Sequence, residues 1–306
     1  MLKFTAAALL SGAVLGVYCH QATAESVLFA DNFNRSDSRN IQASMTGITD
    51  NTGSSFTAGT VYSQPWIDPN NASPTFGVQD SVAANGGGAQ VLSSQLQLAV
   101  GAGTSDLFVN HNFVDSPILS SGGFSVSLNV LGESQTGYQQ GGAFAIGMSQ
   151  AKAATAGDAF NSAPSMTGAF NDADTLGANV YGTVLSDFWV ALRGNGSLAW
   201  GSSSGVINGV SGLSKAGVIS ANFMFSSFAA GSTVNYEILY NGTSEGAGSF
   251  TWSGTDENYI GIDGRDSSAV TFDNFSVSTI APVPEPTTLA LFALGGVGLL
   301  IRRRKA

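Results

Sequence analysis

The chain has 306 residues, 39 of them glycine, with 43% hydrophobic and 10% aromatic residues against only 10% charged ones. That apolar content can bury a core and excludes a disordered chain, and scarce helix formers beside abundant turn residues exclude an all-helical protein. A formal net charge of −10 excludes nucleic acid as a partner, and a single cysteine excludes a disulfide framework.

Residues 1–24, MLKFTAAALLSGAVLGVYCHQATA, start with one lysine, run apolar from Phe4 to Tyr18 and end on Ala22-Thr23-Ala24. Charged start, apolar middle and small residues at Ala22 and Ala24 predict a secretory signal peptide cleaved after Ala24. Bulky Tyr18 before Cys19 argues against a lipoprotein signal. Cleavage removes Cys19 and His20, so the mature chain keeps no thiol and only His111. A zinc site of His and Cys ligands and a Cys-His pair are then excluded within one chain.

The body, residues 25–280, opens on LFADNFNRSD from Leu28 to Asp37. Residues 35–90, rich in Ser, Asn, Gly and Pro, read as a long insertion or edge region. Within it, Trp66 in SQPWIDPNN sits in a loop of Pro, Asp and Asn. That is the setting of an exposed aromatic face against which a sugar ring stacks, so Trp66 is the candidate glycan contact. QLQLAVG then sets Leu96, Leu98 and Val100 on one face. GFSVSLNVLG does the same with Phe124, Val126, Leu128 and Val130, and GAFAIGMS with Phe144, Ile146 and Met148. Alternation with period two predicts strands with one buried face.

The Ala-rich stretch 149–163 predicts an excursion with one helical turn. DFWVALRGNGSLAWG reads as a hairpin around Arg193-Gly194-Asn195-Gly196, and TVNYEILYNGTSEGAGSFTWSG as a second with its bend at Asn241-Gly242. Trp189, Trp200 and Trp252 lie within these strands and are expected in the core, where aromatic rings bury large areas. NYIGIDG and AVTFDNFSVSTI supply the last two strands.

Many short strands joined by Gly- and Ser-rich connectors predict an all-β antiparallel β-sandwich. The Asp-Asn-Phe triplet recurs in the opening LFADNF and the closing VTFDNF, preceded by YEILYNG and NYIGID. In this the body resembles the concanavalin A-like, laminin-G-like jelly-roll domains of bacterial surface proteins. The resemblance implies that the first and last strands are neighbours in one sheet, with Phe33 and Phe275 buried.

Glycoside hydrolysis needs two carboxylates about 5 to 9 Å apart. Laminarinase-like relatives of such jelly rolls carry Glu-x-Asp-x-x-Glu on one strand, a pattern absent from Glu25, Glu133, Glu237, Glu245 and Glu257 of the body. Glu237, in NYEIL, reads as a surface residue. His111, with Asp115 nearby in FVNHNFVDS, reads as an ordinary strand or loop residue, because no Gly-x-Ser-x-Gly elbow precedes a helix. No cofactor is expected apart from one candidate structural calcium ion. Asp31 and Asp273 lead as its ligands, ahead of Asn171, Asp172 and Asp174 or Asp256, Glu257, Asp263 and Asp266, since calcium takes six to eight oxygens.

A linker, Ile280 to Val283, leads into the tail 281–306, PVPEPTTLALFALGGVGLLIRRRKA from Pro282. Thr287 to Ile301 carries no charge, and as a helix its fifteen residues would span about 22 Å. That is short against a hydrocarbon core of about 30 Å, with Arg302, Arg303, Arg304 and Lys305 left cytoplasmic by the positive-inside rule. Pro284-Glu285-Pro286, the apolar run and the terminal basic cluster resemble the PEP-CTERM sorting signal of Gram-negative bacteria. The resemblance implies recognition and processing by an integral-membrane exosortase, and an association with exopolysaccharide and biofilm matrix.

With both ends set aside, 20 acidic residues face 6 basic ones, a balance of −14. The expected protein is non-enzymatic: exported, held briefly in the inner membrane by its tail, then placed at the cell surface or in the extracellular matrix. A carbohydrate-binding, lectin-like module is the alternative, with polysaccharide as partner. A polysaccharide-active enzyme using Glu237 is the third reading.

Overall fold

The computed structural model describes residues 25–63, 88–100, 103–134, 136, 140–153, 167–168, 183–202, 207–254, 257–266 and 269–280. One compact unit spans Ala24–Ala281. It opens with β1 (Val27–Asp31), β2 (Ile48–Asp50) and β3 (Tyr62–Ser63), followed by β4 (Gly88–Leu92), β5 (Gln95–Val100) and β6 (Gly103–Val109). The short helix α1 (Ser116–Ser121) leads into β7 (Gly123–Glu133) and β8 (Gly141–Met148), and α2 (Gln150–Ala153) comes next. After β9 (Thr167–Gly168) and β10 (Thr183–Val184) come β11 (Phe188–Arg193), β12 (Leu198–Ser202) and β13 (Asn208–Val210). The last strands are β14 (Gly217–Met224), β15 (Thr233–Tyr240), β16 (Thr243–Thr251), β17 (Tyr259–Asp266) and β18 (Val270–Thr279).

Among the described residues, nine strands form one sheet in the order β16-β15-β14-β7-β18-β1-β2, with β5 on the start of β18 and β4 on β5. Seven form the second, in the order β13-β12-β11-β8-β17-β6-β3. β9 and β10 make a separate parallel pair. Phe29, Val126, Val277 and Phe272 from the first sheet meet Phe144, Val190, Ile262 and Leu107 from the second in one buried cluster. The body is therefore an antiparallel sandwich, as its alternating segments require.

The terminal strands do adjoin. β1 pairs with β18 antiparallel, and Asp31 lies opposite Phe275. Phe33, two residues beyond β1, and Phe275 are both buried. The expected hairpins form as well: β11 pairs with β12 and β15 with β16. Asn241 and Gly242, with φ of 50° and 77°, make the two-residue turn of the second. Both central residues of such a turn need positive φ, which Asn and Gly adopt most readily.

Two expected inward positions fall differently. Met148 packs not in the main core with Phe144 and Ile146 but in a smaller cluster with Ala143, Ala145 and Trp189 on the opposite face. Gly147 adopts φ 76°, and the pairing with β17 slips between Tyr259 and Gly261, which reverses the alternation at the end of β8. Val100 is only half-buried, whereas Ala99 before it is buried with φ 58°. The predicted helical turn is α2, and no helix among the described residues is long and apolar enough to cross a membrane.

Glycines inside the strands bring the sheets together. Phe272 of β18 projects onto Gly142 of β8 and Gly264 of β17, which face each other across their pairing. A Cβ on Gly142 would collide with the Phe272 ring. Gly142→Val is expected to lower unfolding stability by about 1–3 kcal/mol in urea titration, the usual cost of overpacking a filled core.

Candidate functional site

Asp31, at the end of β1, is fully enclosed, and all its hydrogen-bonding capacity is engaged by the protein. Its Oδ1 accepts from the Phe33 N–H at 2.7 Å and from Arg35 Nη1 at 2.7 Å. Its Oδ2 accepts from Arg35 Nη2 at 2.8 Å and from the Tyr62 hydroxyl at 2.8 Å. The Asp31-to-Phe33 bond closes a local turn that holds Phe33 at φ 51°. Arg35 also donates Nε to the Ile41 carbonyl at 3.0 Å and Nη1 to that of Thr46 at 3.3 Å, and its Cζ lies 5.3 Å from the Phe33 ring centroid. Burial pushes the Tyr62 hydroxyl well above its usual pKa, with the Asp31 charge adding to the shift and Arg35 opposing it. Tyr62 therefore acts as a neutral donor.

Asp273 lies close enough to feel this group. Burial raises its carboxyl, the Asn274 N–H that it accepts at 2.8 Å opposes the rise, and the Asp31 charge adds to it. The structure thus brings the two expected calcium ligands near one another, but Arg35 stands where the sequence reading places the cation. Donors aimed at a carboxylate leave a cation no lone pair to share. Among the described residues no group of three or more His, Cys, Asp or Glu is arranged to hold a metal. Of the other candidates, Glu257 accepts from the Gln150 N–H at 2.6 Å, and Asp263 is buried on β17. Asn171, Asp172, Asp174 and Asp256 lie outside the described residues, as do Trp66, the segment with Ala22 and Ala24, and the tail with Pro284, Glu285, Pro286 and Arg302 to Lys305.

The outer face of the second sheet carries a separate buried cluster. Phe188, Val190 and Leu192 point into the main core, so Trp189, Ala191 and Arg193 take the opposite side. Ala143, Ala145, Ala199, Gly201 and Gly261 floor that side, and the Trp189 indole lies against Gly201. Asp106 and Asp263 are direct partners across β6 and β17. Both carboxylates, Trp189 and Arg193 are enclosed. Trp200 and Trp252 are enclosed in the main core, as expected. At the rim, burial and then Glu257 raise the Tyr259 hydroxyl. Burial also raises the Asp187 carboxyl, against the Ser253 N–H that it accepts.

His111 lies in the loop after β6, as expected. One ring nitrogen, Nδ1, is 2.6 Å from the Ser54 hydroxyl and the other, Nε2, is 3.1 Å from Asp115 Oδ2. Asp115 was visible beside His111 in the sequence. Ser54 was not, because it stands 57 positions away in a loop without a recognisable motif.

Residues 282–305 match the PEP-CTERM protein-sorting motif. No curated protein matches the chain. Among solved structures it is similar to an endo-1,3-beta-glucanase from Streptomyces sioyaensis, at 10% identity and a TM-score of 0.48, over 86% of this chain and 99% of that one. A legume lectin-like domain from Entamoeba histolytica is similar at 11% identity and a TM-score of 0.39, over 64% of this chain and 88% of that one. Peanut lectin is similar at 14% identity and a TM-score of 0.36, over 63% and 89%. These likenesses carry no activity with them.

Asp31→Asn, which leaves Arg35 buried without its counter-charge, is expected to cost about 3–5 kcal/mol in chemical denaturation. Tyr62→Phe is expected to cost about 1–3 kcal/mol through the lost donor. Because the folded pKa of Tyr62 is raised, its stabilisation is complete below the unfolded value and fades as pH rises past about 10. Urea midpoints taken across that range should fall less steeply for Tyr62→Phe than for the parent.

Proposed function

We propose that this is an exported surface or matrix protein whose tail is recognised and processed by an exosortase-type membrane enzyme. The observation that carries the reading is the sorting motif over residues 282–305. The short apolar run Thr287 to Ile301 and the basic cluster after it suit transient retention in an inner membrane. The N-terminal pattern ending at Ala24 suits export, and exopolysaccharide is the surrounding material this route implies. The sandwich is the delivered cargo, and its strongly acidic balance keeps it soluble once released.

The setting of Glu237 does not support glycosidic cleavage by that residue. That residue lies on the outward side of β15, accepts from Asn222 Nδ2 at 3.3 Å, and has Asn222 and Ala247 as its cross-strand partners. No second carboxylate stands at either adjacent position, although hydrolysis needs a pair. Glycan binding is the second reading. The core claims Trp189, Trp200 and Trp252, which leaves Trp66 as the tryptophan to test as a stacking surface for polysaccharide.

Two experiments separate these claims. Cells making the intact chain should hold a membrane-associated form that a chain ending at Ile280 lacks, and identical partitioning of the two would refute the sorting route. On a glycan array, Trp66→Ala should weaken binding at least about tenfold, a loss of ~1.4 kcal/mol. Unchanged binding removes Trp66 as the contact, no binding by the parent removes the lectin reading, and neither touches the sorting route.

A further inference from the structure

We propose that Ser54, His111 and Asp115 form a hydrolytic site for uncharged carboxylic esters. An ionised Asp115 can only accept, so the imidazole proton sits on Nε2 and is donated to Oδ2 at 3.1 Å. Nδ1 is then the basic nitrogen, and it faces the Ser54 hydroxyl at 2.6 Å. Nucleophile, base and orienting carboxylate are linked in the order that activates a serine. The two ring nitrogens exchange their customary partners, which leaves the relay of the proton intact.

The constellation is held from three sides. Ser54 follows β2, where Asp50 Oδ1 lies 2.5 Å from the Thr52 hydroxyl, and that hydroxyl lies 2.9 Å from Ser54 Oγ and accepts the Ser54 N–H at 3.1 Å. His111 follows β6, and its ring meets the edge of buried Phe113 at a centroid distance of 4.6 Å and 81°. Asp115 occupies the cap position of α1 without capping it, so its carboxylate is spent on the histidine. The His111 and Asp115 side chains remain 12% and 24% exposed, and Ser54 is half-buried, so solvent reaches the group. Gly53 and Ser55, on either side of Ser54, have φ of 77° and 53°. For serine that is a strained conformation, and such strain gathers at working sites.

In the reaction, Ser54 Oγ bonds to the acyl carbon while its proton passes to His111 Nδ1. The carbon–oxygen bond to the alcohol breaks, and the departing oxygen takes that proton. Water then attacks the acyl-serine, gives a proton to Nδ1 and releases the carboxylic acid as the proton returns to Ser54. One ester and one water yield one alcohol and one acid. The body balance of −14 repels anionic substrates and selects neutral esters. Ser54 and His111 are the catalytic residues, and Asp115 is a positioning residue.

The test uses the mature chain with a fluorophosphonate probe and p-nitrophenyl acetate. Peptide mass mapping should find the probe on Ser54, and Ser54→Ala should reduce ester turnover to the buffer rate. His111→Gln should lower kcat by about 10²- to 10⁴-fold. Asp115→Asn should lower kcat with little change in KM and alter the pH dependence of turnover, an effect that a purely structural role would not produce. Wild-type protein left unlabelled by excess probe, or Ser54→Ala turning over ester as fast as the parent, overturns the proposal. Labelling of the wild type decides the matter alone should Ser54→Ala fail to give the parental circular dichroism spectrum.

Discussion

The contact between Asp31 and Arg35 organises the first third of the body. Asp31 ends β1 in the larger sheet, and Tyr62 begins β3 at the edge of the other, so the hydroxyl bound to the carboxylate ties one sheet to the next. Arg35 extends the connection to the Ile41 and Thr46 carbonyls, which fixes the course of the chain before β2 returns to pair with β1. A guanidinium and a carboxylate removed from water cost more than they return unless every donor and acceptor is used. Here the two-pronged pair, the tyrosine and the backbone groups engage both Asp31 oxygens and all three Arg35 nitrogens. The result favours one path for a Gly- and Ser-rich segment over the many that its composition would tolerate.

The same economy of space appears in the glycines. Composition suggests that 39 glycines serve turns, and several do, as at Gly242 and Gly196. Others lie within strands and serve packing. Gly142 and Gly264 receive the Phe272 ring, Gly246 lies under the Trp200 indole, and Gly201 under that of Trp189. Glycine weakens an isolated strand, but opposite a large aromatic ring it lets two backbones approach and the ring fill the gap. With a single cysteine and so no disulfide within the chain, close packing of this kind and the buried ion pair must hold the fold.

Much of this fold was legible, and the failures are local. Phe124, Val126, Leu128 and Val130 alternate with polar residues and are buried as that alternation requires. The paired Asp-Asn-Phe segments foretold the meeting of β1 and β18. Met148 was misplaced because a left-handed Gly147 and a slipped register leave no trace in hydrophobic periodicity. Asp31 near a second acid looks the same in sequence whether calcium or arginine neutralises it. The deciding residue, Arg35, lay four positions away, in the same quoted segment. Proximity to a base is the signal that could have changed the reading.

Sorting signals and assembled sites differ in what a linear reading can recover. A tail read by a membrane enzyme must present its proline-flanked acid, apolar run and basic end in order along the chain, so order in the sequence is the whole of the information. A site built on a sandwich is assembled from strand ends that the topology collects. Tyr62 reaches Asp31 across 31 positions and Ser54 reaches His111 across 57, each through pairing that no short window contains. The sorting motif is therefore legible in the last two dozen residues of the chain. What its body can do depends on which strand ends the two sheets bring together, and there the serine beside His111 is the arrangement with chemistry to offer.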